Sequence, residues 1–156
     1  MGLNNIREKA MKAGPCLKIL VFGNPLVDAD SIALRLMPLL QKKFPLVSFK
    51  EFDAAENLEK EGRDLVILDS AVGIGKVALL DGIESLSGGK ACSMHDFDLA
   101  MTLKLLVKMG SIDSVRIIAV PSSMPPGKAL GAVSRLLSSL LSGSASRSSC
   151  KGRRRG

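Results

Sequence analysis

The 156-residue chain contains no tryptophan and no tyrosine, only five phenylalanines, three cysteines and a single histidine. With so few aromatic rings it has little to stack on exposed bases, which argues against a single-strand nucleic-acid surface. Cys16, Cys92 and Cys150 are odd in number and lack the paired spacing of a zinc site. A disulfide framework is therefore not indicated, and a reducing compartment fits. No apolar run approaches the roughly 18 to 20 residues that a membrane span needs, and residues 1–14 mix charge with apolar side chains and lack a signal-peptide core. The expectation is a cytoplasmic protein with no membrane or nucleic-acid partner.

What is present is an apolar content of 46%, enough for one domain around a buried core. The net charge of +7 is concentrated at one end: Arg147, Lys151, Arg153, Arg154 and Arg155 follow Ser146, whereas all 15 acidic residues precede it. The body is close to neutral, so a basic fold surface is not implied. Residues 141–156 are rich in Ser, Gly and Arg and offer little apolar area to bury, which predicts a disordered tail. The domain reading is a single α/β unit over residues 1–145 followed by a basic tail over 146–156, with a monomer as the expected state.

Along the chain, residues 17–22 form a short continuous apolar run, as in a strand covered on both faces. Asp28 and Asp30 open a segment with Ile32, Leu36, Leu39 and Leu40 at helical spacing, which ends near Lys42 and Lys43 before Pro45. Residues 46–52 alternate as an outer strand would, and residues 65–68 form a second buried run closed by Asp69. Residues 77–80 follow only eight positions later, too soon for a parallel crossover, and so predict an antiparallel edge strand. A helix over 98–109 stopped by Gly110, a buried strand over 115–120 and a helix over 128–141 complete the pattern. A short amphipathic helix before Gly14 is also compatible. The order predicts a three-layer α/β/α sandwich on a mostly parallel five-stranded sheet.

In such a sheet Asp30, Asp69 and His95 fall along the carboxyl edge of the strands, where open α/β sheets bind ligands. Each has a plainer reading. Gly23 and Pro25 turn the chain and an aspartate caps the next helix; Asp69 caps a turn; His95 decorates a helix mouth. The loop after the first strand lacks the glycine spacing of a dinucleotide fingerprint and the lysine of a phosphate loop. Near a helix N-terminus the local positive potential keeps an imidazole neutral and able to bind a transition metal. One histidine with two carboxylates suits a borderline divalent ion such as nickel or zinc. Cys92, three residues before His95, is more plainly a buried strand thiol than a further ligand.

Three segments in order carry a resemblance: Gly23-Asn24-Pro25-Leu26 with a following acid, Leu65-Val66-Ile67-Leu68-Asp69, and Ser93-Met94-His95-Asp96-Phe97-Asp98-Leu99. Together with the strand over 115–120 and Pro121, they resemble the hydrogenase maturation endopeptidases over residues 17–141. The resemblance implies a protease that removes a C-terminal extension from the large-subunit precursor of a nickel-iron hydrogenase once nickel is inserted. It implies that Asp30, Asp69 and His95 are the metal-contacting and catalytic positions, with nickel supplied by the precursor and no further cofactor. This chain departs from the family in having Ala29 where a second acid is common, Ser31-Ile32-Ala33 where glycine often follows, and Asp53-Ala54-Ala55-Glu56 where two glycines and a threonine often follow the aspartate. A non-catalytic factor that binds the nickel-loaded precursor is the nearest alternative reading. A receiver-type domain phosphorylated on Asp69 is a second, although it needs an acidic pair after the first strand and a lysine after the last.

Overall fold

The computed structural model describes residues 17–53, 57–87, 92–93 and 96–145. Six strands and three helices are present among them: β1 (Leu17–Val21), α1 (Ile32–Lys43), β2 (Val47–Glu51), β3 (Asp64–Val72), β4 (Ala78–Asp81), β5 (Cys92–Ser93), α2 (Asp96–Lys108), β6 (Ser114–Pro121) and α3 (Pro126–Ala145). The main sheet runs β2-β1-β3-β6-β4, with β5 paired to β3 off that path. β2, β1, β3 and β6 are mutually parallel, and β4 is the predicted antiparallel edge strand, laid against β6.

Alternation along the central strands divides the core between the two faces of the sheet. Ile19, Val21, Val66, Leu68, Ile118 and Val120 pack beneath α1 and α3, where Leu36, Leu40, Val133 and Leu137 are fully buried. Leu20, Leu65, Ile67, Val115 and Ile117 point the other way, to Leu99, Leu103 and Leu106 of α2 and to Leu58 of a 3-10 turn over Leu58–Glu61. Helices cover both faces, giving the α/β/α sandwich. This also explains why the central strands read as continuous apolar runs rather than alternating ones. α2 ends as predicted: Gly110 takes φ +72°, and its N–H reaches back to the Val107 carbonyl at 3.0 Å.

Several boundaries differ from the sequence reading. The third strand does not close at Asp69 but continues to Val72, because β6 keeps pairing with it through Ala71↔Pro121 and β5 takes up its other edge. The two-residue strand β5 had no periodicity to betray it. α3 begins at Pro126, a residue suited to the first helical position, and runs past Leu141 to Ala145. Serine hydroxyls there bond back one turn, Ser138 to the Ser134 carbonyl at 2.9 Å and Ser142 to the Ser138 carbonyl at 2.8 Å, so the polar composition did not stop the helix. The possible helix before Gly14 and the tail over 146–156 lie outside the described residues. No helix among the described residues is long and apolar enough to cross a membrane.

The 3-10 turn that carries Leu58 is tied to the sheet by Glu61, which accepts Lys50 Nζ at 2.6 Å and Lys18 Nζ at 2.9 Å. The two ammonium groups, Lys50 foremost, hold the Glu61 carboxyl below the usual carboxylate range. A depressed carboxylate contributes stability that is present above its unfolded value of about 4.3 and is lost as pH falls through the lower folded value. Both lysines are well exposed, so the contribution is screened. Glu61→Gln is expected to lower stability at neutral pH by no more than about 1 kcal/mol. The same variant should flatten the acid limb of a plot of denaturant midpoint against pH; an unchanged acid limb would remove Glu61 as a pH-dependent clasp.

Candidate active site

The connection after β1 leads to α1 on one face of the sheet, and the chain leaving β3 leads on to α2 on the opposite face. The strands on either side of that reversal therefore part at their carboxyl ends. An open α/β sheet binds ligands in such a crevice. β1 pairs with β3 only through Leu20↔Ile67 and Val21↔Leu68, with one more bond from the Phe22 N–H to the Leu68 carbonyl at 2.9 Å. β5 meets β3 only at Ala71↔Ser93 and Val72↔Cys92. Ser70 sits in the gap between these two pairings.

Backbone groups two residues apart on a strand point to the same side. The Ser70 N–H therefore faces the side that β1 has vacated. Asp69 fills the vacancy, its Oδ1 accepting that N–H at 2.8 Å. The Ser70 side chain follows Val66 and Leu68 toward the α1 layer, where its Oγ donates to Asp30 Oδ1 at 2.6 Å. One serine thus donates to both predicted carboxylates, through its backbone to one and through its hydroxyl to the other. All three residues are buried, with Asp30 2%, Asp69 1% and Ser70 0% exposed.

Asp30 reaches this position on a tight loop. A 3-10 turn over Asp28–Asp30 precedes α1, with the Asp30 N–H bonded to the Val27 carbonyl at 2.9 Å. Ser31, not an aspartate, occupies the cap position of α1; its hydroxyl points back to the Asp28 carbonyl at 2.9 Å and makes no side-chain cap. Asp30 instead spends a carboxylate oxygen on β3. Gly23 makes the approach possible, since a Cβ there would lie 2.6 Å from the Asp30 carbonyl oxygen and 3.0 Å from Leu34 Cγ. The rim of the loop is apolar and exposed, with Leu26 92% accessible.

The structure brings Asp30 to Ser70, the residue adjoining Asp69, and places both acids in the interior, whereas the sequence reading set them along the carboxyl edge of the sheet. His95 lies outside the described residues; in the chain it stands between Ser93, which pairs with Ala71, and Asp96, which opens α2. Cys92 is on a strand, as expected. Among the described residues, no group of three or more His, Cys, Asp or Glu side chains is arranged to hold a metal ion. Ser70 and the closeness at Gly23 were missed. Two consecutive polar residues at the end of a buried apolar run were the signal for the first, because a buried hydroxyl needs a partner.

No family model and no curated protein matches the chain. Two solved structures are similar to it. An uncharacterized protein from Wolinella succinogenes is 21% identical, with a TM-score of 0.45, covering 80% of this chain and 97% of its own. A hydrogenase 2 maturation peptidase from a Thaumarchaeota archaeon is 20% identical, with a TM-score of 0.47 and the same coverage of 80% and 97%. Likeness of this degree transfers neither activity nor residue roles.

The loop geometry yields a direct test. Gly23→Ala must push the Asp30 carbonyl away or distort the turn, and is expected to destabilise the fold by about 1–3 kcal/mol, as overpacking does. Gly75→Ala, where nothing lies within 4 Å of the added carbon, is the control and should stay within about 0.5 kcal/mol of the parent. Equal denaturant midpoints for the two variants would show that the loop carrying Asp30 is not held against Gly23.

Proposed function

We propose that the chain is an endopeptidase that removes the C-terminal extension of a nickel-loaded hydrogenase large-subunit precursor. The observation that carries this reading is the convergence of two buried carboxylates, from the loop after β1 and from β3, on one residue at the point where the sheet connections reverse. A buried carboxylate costs free energy unless it is paired or coordinates a cation, and such groups collect at functional sites. The ordered motifs that resemble the maturation endopeptidases run through the same positions and add His95 as the third group.

In this reading Asp30, Asp69 and His95 receive the nickel that the precursor already holds. Two hard oxygen donors and an imidazole form a donor set suited to a borderline divalent ion. The ion would template the C-terminal tail against the enzyme and polarise the scissile carbonyl or a water molecule. Precursor without nickel lacks the group that the carboxylates recognise, which makes cleavage follow metal insertion. A phosphoacceptor role for Asp69 fits less well, because Gly23-Asn24-Pro25 follows the first strand where an acidic pair is needed and Pro121-Ser122-Ser123 follows the last where a lysine is needed.

Intact masses of nickel-loaded and nickel-free precursor after incubation with the chain test the proposal. Shortening of the loaded form alone is the expected result. Binding of the loaded precursor with no shortening would instead leave a recognition factor without hydrolytic activity. Asp69→Asn keeps an oxygen able to accept the Ser70 N–H and should fold normally, yet lose nickel-dependent processing because the charge is gone. Unimpaired processing by that variant would remove Asp69 from the site. Because a ligand imidazole must be neutral, binding of the loaded precursor should weaken below about pH 6, and His95→Ala should bind weakly with that step absent from its profile. Normal binding and processing by a folded His95→Ala would end the metal-recognition account.

A further inference from the structure

We infer that Ser70 is a positioning residue for the candidate site, fixing the Asp30 carboxylate relative to Asp69; the inference rests on the metal-recognition reading above. Its Oγ–H donates to Asp30 Oδ1 at 2.6 Å while its N–H donates to Asp69 Oδ1 at 2.8 Å. The two carboxylates belong to segments 39 positions apart in the chain, and Ser70 adjoins one and touches the other. Its backbone lies in register with Val120 of β6, and the next residue, Ala71, is paired with both β6 and β5. A donor with so little freedom transmits the geometry of the sheet to an acid carried on a loop. Asp30 itself sits on a single 3-10 turn, Asp28–Asp30, and the residues that lead into it, Leu26 and Val27, are exposed.

The consequence is specific to the hydroxyl. Ser70→Ala keeps the backbone bond to Asp69 and deletes only the arm to Asp30. A buried hydrogen bond to a charged group is worth enough that losing it should weaken affinity for the nickel-loaded precursor by roughly 10-fold. Affinity for the nickel-free precursor should not change. Ser70→Thr retains the donor and should stay within about 3-fold of the parent, allowing for its added methyl at a fully buried position. If Ser70 acts through Asp30, then adding Ser70→Ala to Asp30→Ala, which removes the acceptor of the hydroxyl, should change affinity by no more than about 2-fold, because the interaction is already lost.

The experiment is a titration of the full chain and these variants against nickel-loaded and nickel-free precursor, beside a thermal melt of each. A folded Ser70→Ala that binds the loaded precursor as tightly as the parent would overturn the positioning role while leaving the proposed function intact. Equal loss of affinity for loaded and nickel-free precursor would also overturn it, by showing a general structural effect. So would a full further loss when Ser70→Ala is added to Asp30→Ala. A parent chain that does not distinguish the two precursors would instead overturn the metal-recognition reading, and the positioning role with it.

Discussion

Beyond Phe22, β1 and β3 stop pairing, and much of the candidate site follows from that parting. β3 continues for four residues past its last partner in β1, so its backbone must find new acceptors and donors on that edge. Asp69 supplies the first by folding its carboxylate onto the next N–H, and β5 supplies the rest. The space so opened admits the loop that carries Asp30. Had the two strands stayed paired to their ends, a carboxylate in the body of β3 would have had no reason to turn toward that edge.

Burial sharpens the point. Taking a carboxylate out of water costs several kcal/mol unless hydrogen bonds or a cation offset it, and apolar side chains of similar volume commonly stabilise a fold as well or better. Asp30 and Asp69 are nonetheless enclosed at the edge of two well-packed cores, each held by at least one donor from Ser70. Such an arrangement is a poor way to gain stability, and buried ionisable groups of this kind collect at functional sites. The clasp formed by Glu61 with Lys18 and Lys50, and that of Arg63 with Asp113 and the Gly110 carbonyl, are by contrast exposed pairs that steady turns and carry no comparable strain of desolvation.

Much of this was legible in the residues. The apolar runs at 17–22, 65–68 and 115–120 became the three central strands because only side chains content on both faces of a sheet produce uninterrupted runs. The eight-residue gap before residue 77 correctly predicted an antiparallel edge, since chain length forbids a crossover. Helix ends at Lys43 and near Gly110 followed from proline and glycine chemistry. What could not be read was tertiary in origin. β3 outlasts Asp69 because its neighbours keep pairing, β5 is too short to show a period, and the bond from Ser70 to Asp30 depends on which face of the strand meets which loop. Position along the chain brought out the two acids as candidates, but only the fold shows that a serine joins them.

In the proposed function Asp30 and Asp69, with His95, receive nickel carried by another protein. Nickel-edge X-ray absorption of the loaded precursor, alone and in complex with this chain, addresses it directly. The account predicts that complex formation adds light-atom ligands to the nickel and that the change disappears with Asp30→Asn or Asp69→Asn. A complex that forms while leaving the nickel spectrum identical to that of the free precursor would contradict it.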